Sequence, residues 1–410
     1  MTSSPDSPDG AGRVATAPEQ HVDRSSGRNL LLLVVVASVA FNLRPFMTGV
    51  GPLAGSIGAD LGLDLQGIAL LTLVPMLLMG ICAFAGPALQ AGLGARRAVV
   101  AALIVLGLGS FLRLFVSTGW AMIGTAALLG LGAAVVQSVF PGVVKRHFPR
   151  HLGLVMGLYS AMLMGGGALG AQVSPLVAGW AGGWRIGLGW LAAPALLAAV
   201  LVVCLLPRDA ASSKPVRLGK DILGRPRVWL LMACFGLING GYATVVAWLA
   251  ESYRELGWTA AASGSLLAAL TMCQACFALL IPSLSHRGRD RRPWIWLTLV
   301  LQAVGFAGLA LQPTLMPLSS VLLLGAGLGG SFALSMVVAL DDLPDPAEAG
   351  AVSALMQGGG FLISALPPWI VAVLHDVTGG FRTGWLLHLA CVVVVAILTF
   401  WLSPRRHSRS

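Results

Sequence analysis

The feature that most constrains this chain is a succession of long apolar segments separated by short charged or Gly- and Pro-containing connections. A membrane-spanning helix needs about 20 predominantly apolar residues. Division at the charged clusters and turns predicts twelve such helices, at 29–55, 66–90, 97–116, 120–143, 151–180, 185–206, 227–250, 259–284, 294–312, 316–340, 348–374 and 382–403. Only 10% of the residues are charged, against about 25% in a typical soluble domain. The sequence therefore predicts an all-α, multi-pass membrane protein in contact with the lipid bilayer.

The positive charges lie mainly on one side of this predicted membrane. Both termini and the even-numbered connections together contain 21 of the 26 Lys and Arg residues. Because cytoplasmic loops carry an excess of Lys and Arg, this distribution predicts that both termini are cytoplasmic in a plasma or inner membrane. The net charge of +10 then follows from topology, and we expect no nucleic-acid partner.

An internal repeat divides the predicted helices into two groups. A shift of 195 residues places Arg96-Arg97 on Arg291-Arg292, and a shift of 197 places Gly182–Arg185 on Gly379–Arg382. Two six-helix halves with the same connectivity explain these offsets, and parallel repeats around a central site are a transporter architecture. The predicted boundaries are a disordered cytoplasmic tail at 1–28, an N-terminal half at 29–206, a cytoplasmic linker at 207–226, a C-terminal half at 227–403 and a cytoplasmic tail at 404–410.

The first predicted helix contains a full positive charge, Arg44, directly before Pro45. A charge at the centre of a membrane helix costs at least about 2.5 kcal/mol, so it normally faces a wet cavity or a partner. Pro45 has no N–H, which leaves the carbonyl of Phe41 without its helical donor and lets the helix bend. Two interpretations follow: Arg44 binds a solute, or it is a structural arginine bonded to the carbonyls that Pro45 releases.

Acidic residues are missing from the depths of the predicted helices, and Glu251 and Glu255 lie at an outer end. Arg44 therefore has no predicted carboxylate partner, which favours an anionic or strongly electron-rich ligand. The same absence argues against a proton-coupled exporter of cationic drugs. His388 falls in the twelfth segment, which we expect to be peripheral, and a packing role is predicted for it. Arg113, near an outer helix end, is expected to extend its side chain to the lipid headgroups.

Four stretches of the sequence carry a resemblance to a known family. They are Phe41–Pro45 followed by Thr48–Leu53, then Phe140–Arg150, Ala349–Phe361 and His375–Gly380. With the twelve predicted helices, these stretches resemble the cyanate / 2-nitroimidazole transporter family of the major facilitator superfamily. The resemblance implies the major facilitator fold, alternating access, and a central cavity lined by helices 1, 4, 7 and 10.

Polar residues on the predicted helices complete the candidate site. Asn239 is the 195-residue counterpart of Arg44, which places it across the cavity by pseudo-symmetry. The predicted substrate-binding residues are Arg44, Thr48, Gln137, Tyr159, Asn239 and Gln357. The predicted structural or gating residues are Asn42, Pro45, Pro141, Gly165 and Gly360. For the uncharged polar residues, an interhelical hydrogen bond worth less than about 1 kcal/mol is the alternative.

Taken together, the residues favour a monomeric secondary transporter of a small anionic or polar organic solute, such as a cyanate-like anion, a carboxylate or a nitro-heterocycle. Efflux of a neutral xenobiotic by the same fold is the alternative, and a membrane receptor is a remote one. An enzyme would need clustered His, Asp or Glu for acid–base or metal chemistry, and the predicted helices contain no such cluster. We expect no cofactor. Cys273 and Cys276 have metal-motif spacing without a second ligand pair, so we expect no metal either.

Overall fold

The structure, a computed structural model, describes residues 21–207, 224–285, 291–341 and 346–401. The described part is helical throughout, apart from short turns. The helices of the first half are α1 (His21–Phe41), α2 (Pro45–Thr48), α3 (Ala54–Leu61), α4 (Leu65–Leu93), α5 (Ala95–Leu112), α6 (Gly119–His147), α7 (Leu152–Ala181), α8 (Trp184–Gly189) and α9 (Ala192–Leu205). Those of the second half are α10 (Pro226–Glu255), α11 (Ala260–Ser285), α12 (Arg292–Leu311), α13 (Pro317–Asp341), α14 (Pro346–Thr378) and α15 (Arg382–Leu398).

These elements correspond to the twelve predicted membrane helices. Among the described residues, eleven helical spans are long and apolar enough to cross a membrane, and the twelfth, α15, is an apolar helix of 17 residues. The first span comprises α1, α2 and α3, and the sixth comprises α8 and α9. The predicted fold class is confirmed.

The same helix pairs pack together in both halves. In the first half α6 packs against α4 and α5, and α5 packs against α9. In the second half α13 packs against α11 and α12, and α12 packs against α15. Each half therefore repeats one arrangement, as the offsets in the sequence predict.

The halves meet along three helix pairs. The largest contacts between them join α4 to α14 and α7 to α11, and the broken first helix contacts α10. At Gly51 a β-carbon would lie 2.6 Å from the carbonyl oxygen of Val246, so the two backbones touch there. The centre of the molecule is thus formed by helices from both halves.

Two of the predicted boundaries need correction at the N-terminus. The first helix was predicted over 29–55 with a bend at Pro45, whereas the structure interrupts it after Phe41 and continues the span to Leu61. Helix α1 begins at His21, so the predicted tail 1–28 is helical in its last part. Residues 21–28 contain no proline, and a helix can extend through them beyond the membrane. Residues 1–20, most of the predicted linker and all of the predicted C-terminal tail lie outside the described residues.

Candidate functional site

The interruption of the first helix lies at residues 42–44, between α1 and α2. The amides of Asn42 and Leu43 bond the carbonyls three residues before them, at 3.3 and 3.1 Å, so the chain tightens into a turn. Arg44 has φ −125° and ψ −27°, outside the helical range, and its carbonyl accepts from Met47 and Thr48. Pro45 has no N–H and cannot donate a helical hydrogen bond to the carbonyl of Phe41. A break before Pro45 therefore costs no hydrogen bond from this residue. Arg44 therefore stands at the junction of two helical segments.

The guanidinium group of Arg44 is buried without hydrogen-bond partners at two of its nitrogens. The residue is 4% exposed, and its Nε and Nη1 atoms have no partner. No carboxylate forms an ion pair with it among the described residues. The structural alternative, in which Nε and Nη1 bond the carbonyls released by Pro45, is not what the geometry shows. A buried donor without a partner costs about 1–3 kcal/mol, and more for a charged group.

An aromatic ring from the other half lies under this charge. The guanidinium carbon of Arg44 is 5.0 Å from the ring centroid of Tyr242, on α10. Such a cation–π contact contributes about 0.5–2 kcal/mol. Tyr242 was absent from the predicted site. One sequence signal could have found it: it is a tyrosine in mid-helix, whereas tyrosines of membrane helices concentrate at the interfaces.

Tyr159, on α7, lies near Arg44, and its predicted role as a solute ligand stays a prediction. It is 6% exposed, and its ring stacks on that of Phe140 with centroids 5.9 Å apart. The positive charge of Arg44 is close enough to interact electrostatically with the phenol groups of both Tyr159 and Tyr242. The structure thus brings Arg44, Tyr159 and Tyr242 together at the centre of the bundle.

Helix α7 holds the break in place through a face of small residues. The hydroxyl of Thr48 donates to the carbonyl of Gly167 at 2.7 Å. A β-carbon at Gly170 would lie 2.6 Å from Cα of Pro45, and one at Gly166 would collide with the carbonyl of Phe41. Thr48 therefore joins two helices, and its predicted role as a solute ligand stays a prediction.

The remaining predicted ligands lie around this centre with different environments. Asn239 is 3% exposed, and its amide donates to the carbonyl of Phe235 at 3.0 Å, one turn back in α10. Gln137 on α6 and Gln357 on α14 are half-buried. Gln357 has an interaction partner within the protein. The roles of Asn239, Gln137 and Gln357 as solute ligands stay predictions.

The predicted structural residues also have defined surroundings. The amide of Asn42 donates to the carbonyls of Ser38 at 2.8 Å and Pro194 at 3.2 Å, which joins α1 to α9. A β-carbon at Gly360 would collide with the ring of Phe235, so Gly360 permits close packing of α10 and α14. Nothing lies within 4 Å of a β-carbon built at Gly165, and Pro141 is half-buried within α6.

The structure shows the surroundings of two residues that were predicted to be peripheral, Arg113 and His388. Arg113 is 0% exposed, so the prediction that it extends to the headgroups is wrong; it turns inward because polar partners in the protein are closer. His388 is 1% exposed, stacks on Phe306 and bonds the hydroxyl of Thr244, on α10, at 2.7 Å. It therefore packs inward, against a helix that contributes to the centre.

We call the end of the bundle opposite the termini the outer end. There, the Arg254 guanidinium donates to the carbonyl of Pro52 at 3.2 Å, and the Glu251 carboxylate lies against Gly55, with Oε1 3.1 Å from a β-carbon built there. Both residues belong to α10, and both partners belong to the first half. The amide of Gln66 also donates to Asp376 at 3.0 Å, from α4 to α14. These contacts hold the two halves together at the outer end.

Comparison with known proteins identifies the family of this chain. The family model described as Major Facilitator Superfamily matches residues 30–254 and 236–410. The Cyanate transport protein CynX of Escherichia coli (strain K12) is 40% identical over 380 residues, covering 92% of this chain and 98% of the relative. The 2-nitroimidazole transporter of the same organism is 27% identical, covering 91% and 94%.

Solved structures show the same fold at low sequence identity. A bacterial homologue of the human lysosomal transporter Spinster, in an inward-facing and occupied conformation, has a TM-score of 0.76 at 15% identity, covering 91% of this chain and 96% of that one. The D-xylose-proton symporter has a TM-score of 0.74 at 16% identity, covering 93% and 99%. The chain belongs to the Major Facilitator Superfamily, as a multi-pass membrane transporter of the family that includes the cyanate and 2-nitroimidazole transporters.

Proposed function

We propose that this protein is a secondary transporter that moves a small anion, of the cyanate type, by alternating access, with Arg44 as the anion-binding residue. The observation that carries this proposal is the buried guanidinium of Arg44, whose Nε and Nη1 atoms have no partner. A small anion between the halves supplies the missing counter-charge and accepts these donors. Charge-assisted hydrogen bonds to arginine are among the stronger ones in proteins.

The surroundings of Arg44 support binding of a compact, weakly hydrated solute. Tyr242 covers one face of the guanidinium, and Tyr159 with Phe140 forms an aromatic wall nearby. An aromatic wall cannot replace the hydrogen bonds that water gives to a strongly hydrated ion. Burying a charge without compensating hydrogen bonds costs free energy. A delocalised anion with few hydration contacts to lose is favoured. The similarity to the Cyanate transport protein CynX points to the same class of solute.

A second candidate is transport of a neutral nitro-heterocycle, which the similarity to the 2-nitroimidazole transporter favours. The nitro group offers two acceptor oxygens, and arginine presents planar donors that match such a group. The two candidates differ in the charge that crosses the membrane. Transport of an anion without a compensating ion generates a membrane potential, whereas transport of a neutral solute alone does not.

Transport would proceed by rocking of the two halves about the central site, which would expose Arg44 to each side of the membrane in turn. We propose that Gln137, Asn239 and Gln357 contact the solute from α6, α10 and α14, and that the hydroxyl of Thr48 contacts it beside Arg44. The protein is proposed to act as a monomer in the plasma or inner membrane, with both termini in the cytoplasm.

Transport by purified protein in liposomes tests the role of Arg44. Uptake of labelled cyanate is measured for the wild type, Arg44→Gln, Arg44→Lys and the control Arg97→Gln, which changes an exposed arginine. Loss of hydrogen bonds to a charged group costs about 1.5–3 kcal/mol, so Arg44→Gln is expected to raise KM by about 10- to 150-fold. Arg44→Lys should retain part of the activity, since it keeps the charge without the planar fork.

One result would contradict the role of Arg44 in solute binding. It is cyanate uptake by Arg44→Gln at the wild-type rate, with normal amounts of protein in the liposomes. If cyanate is not a substrate, thermal unfolding of the wild type in the presence of formate, nitrate or 2-nitroimidazole identifies the class. Stabilisation by 2-nitroimidazole alone would select the neutral candidate.

A further inference from the structure

A second arginine, Arg113, is buried beside the break in the first helix. It is 0% exposed and lies just after α5. Its Nη1 donates to the carbonyl of Phe46 at 3.1 Å, and its Nε donates to the hydroxyl of Thr125 at 3.4 Å. That hydroxyl in turn donates to the carbonyl of Met122 at 2.7 Å, which anchors it on α6. Arg113 thus joins the short helix α2 to α5 and α6.

The carbonyl that Arg113 binds lacks its helical donor because α2 ends at Thr48. In a regular helix the amide of Val50 would bond the carbonyl of Phe46, four residues earlier. Here the Val50 amide bonds the carbonyl of Met47 instead, at 3.1 Å. Arg113 supplies the replacement donor from another helix. Since Phe46 follows Arg44 by two residues in the same short segment, a displacement of Phe46 displaces Arg44.

Arg113 is an expensive residue to place here if it serves packing alone. Its Nη2 atom is buried without a partner, and no carboxylate forms an ion pair with Arg113 in the described ranges. The effective penalty for burying an ion is several kcal/mol, and a methionine would fill similar space without it.

We propose that Arg113 is a positioning residue for solute binding: it holds α2 so that the guanidinium of Arg44 reaches across to Tyr242. The proposal rests on the function proposed for Arg44. Arg113 acts through Arg44, without touching the solute. It therefore affects the affinity for the solute more than the rate of the conformational cycle.

A double-mutant cycle in liposomes tests this coupling. Initial rates of labelled cyanate uptake give KM and maximal rate for the wild type, Arg113→Met, Arg44→Gln and the double variant. Arg113→Met is expected to raise KM about tenfold with a maximal rate within about twofold of the wild type. Because Arg113 acts through Arg44, the double variant should have the KM of Arg44→Gln alone; independent sites would give additive effects.

Two further variants test the hydrogen bonds of Arg113. Arg113→Lys keeps a donor and loses the fork, so it should raise KM by about threefold, between the wild type and Arg113→Met. Ser110→Ala is the matched control, since it changes a buried polar residue one turn earlier on α5. It is expected to leave KM unchanged. If Arg113→Met does not reach the membrane, Thr125→Val, which removes the acceptor of Nε, takes its place with an expected rise of about threefold in KM.

The possible results distinguish this inference from the proposed function. A wild-type KM in Arg44→Gln overturns both. A raised KM in Arg44→Gln, with a wild-type KM in Arg113→Met, overturns only the positioning role. Additive effects in the double variant do the same, and so does a lowered maximal rate at constant KM. A raised KM in Arg113→Met that disappears in the Arg44→Gln background supports it.

Discussion

Arg44 and Tyr242 belong to different halves, and their contact is a direct link across the centre of the molecule. The attraction depends on the positive charge being available to the ring. An anion that binds Arg44 neutralises much of that charge, so it weakens the link while forming its own contacts. Solute binding at this residue therefore changes how firmly the two halves are joined.

Substitution of Tyr242 tests this arrangement. Tyr242→Phe keeps the ring under the guanidinium and is expected to leave KM within about twofold of the wild type. Tyr242→Leu removes the ring and loses the orientation of Arg44, so KM should rise by about threefold to tenfold. Uptake of labelled cyanate into liposomes measures both. If Tyr242→Phe is as defective as Tyr242→Leu, the hydroxyl, and not the ring, is the group that acts.

The sequence allowed only part of this site to be predicted. Arg44 could be identified because a charge beside a proline is costly within an apolar segment. Tyr242 and Arg113 could not be placed, since their roles depend on which faces of separate helices meet. Arg113 lies close enough to a helix end to reach the headgroups, and only the packed structure shows that its partners are Phe46 and Thr125.

At the scale of elements, the break in the first helix depends on the small residues of α7. Gly166 and Gly170 face the broken segment, and side chains at either would meet its backbone. The sequence shows the cluster 165–167, but the register of its face follows from how α7 packs. Gly165, predicted as a structural residue, faces open space, whereas its neighbour Gly166 is in contact.

Alanine substitutions along α7 should separate these glycines. Gly170→Ala is expected to destabilise the protein by about 1–3 kcal/mol, because the added methyl group meets Pro45 and Thr48. Gly165→Ala, five residues away, is the control and should be neutral or slightly stabilising, since alanine favours helix more than glycine does. Thermal unfolding in detergent compares the two. Equal midpoints would show that the break tolerates a displaced α7.

At the scale of the whole molecule, the two halves are held together at the outer end by residues of α10. Arg254 binds the carbonyl of Pro52, and the Glu251 carboxylate lies against Gly55 near the start of α3. Helix α3 has no side-chain cap of its own at Leu53. A carboxylate is favourable at a helix N-terminus, so the second half places a stabilising negative charge beside the start of α3. Separation of the halves at this end would leave these backbone groups to water.

Removal of this contact should shift the protein toward an outward-open state. Spin labels on Ala59 and Leu256, both exposed and in different halves, report the separation at the outer end. In Arg254→Ala the population at longer distance is expected to increase by about fivefold, equivalent to about 1 kcal/mol. The control is Arg382→Ala, an exposed arginine at the same end. An unchanged distance distribution in Arg254→Ala would show that other contacts keep this end closed.

The architecture was more predictable than the site. The bilayer requires apolar segments of about 20 residues and favours Lys and Arg on its cytoplasmic side. These requirements act on every segment alike. The repeat offsets then specified two halves, and the matching helix pairs agree with them. The division of the first helix into α1, α2 and α3 was beyond this reasoning, since it requires close packing of α7 and hydrogen bonds from Arg113 and Arg254 to the interrupted backbone.

The dependence of the broken first helix on α7 has a consequence for biogenesis. The ribosome produces Arg44 and Pro45 well before Gly166 and Gly170, which lie over a hundred residues later. At about 5–20 residues per second, the first helix waits several seconds for the segment that packs against its break. During that interval the break lacks the packing surface of α7, and water or the insertion machinery must surround Arg44 as a substitute. We expect the nascent chain of this transporter to be most vulnerable to degradation before α7 emerges.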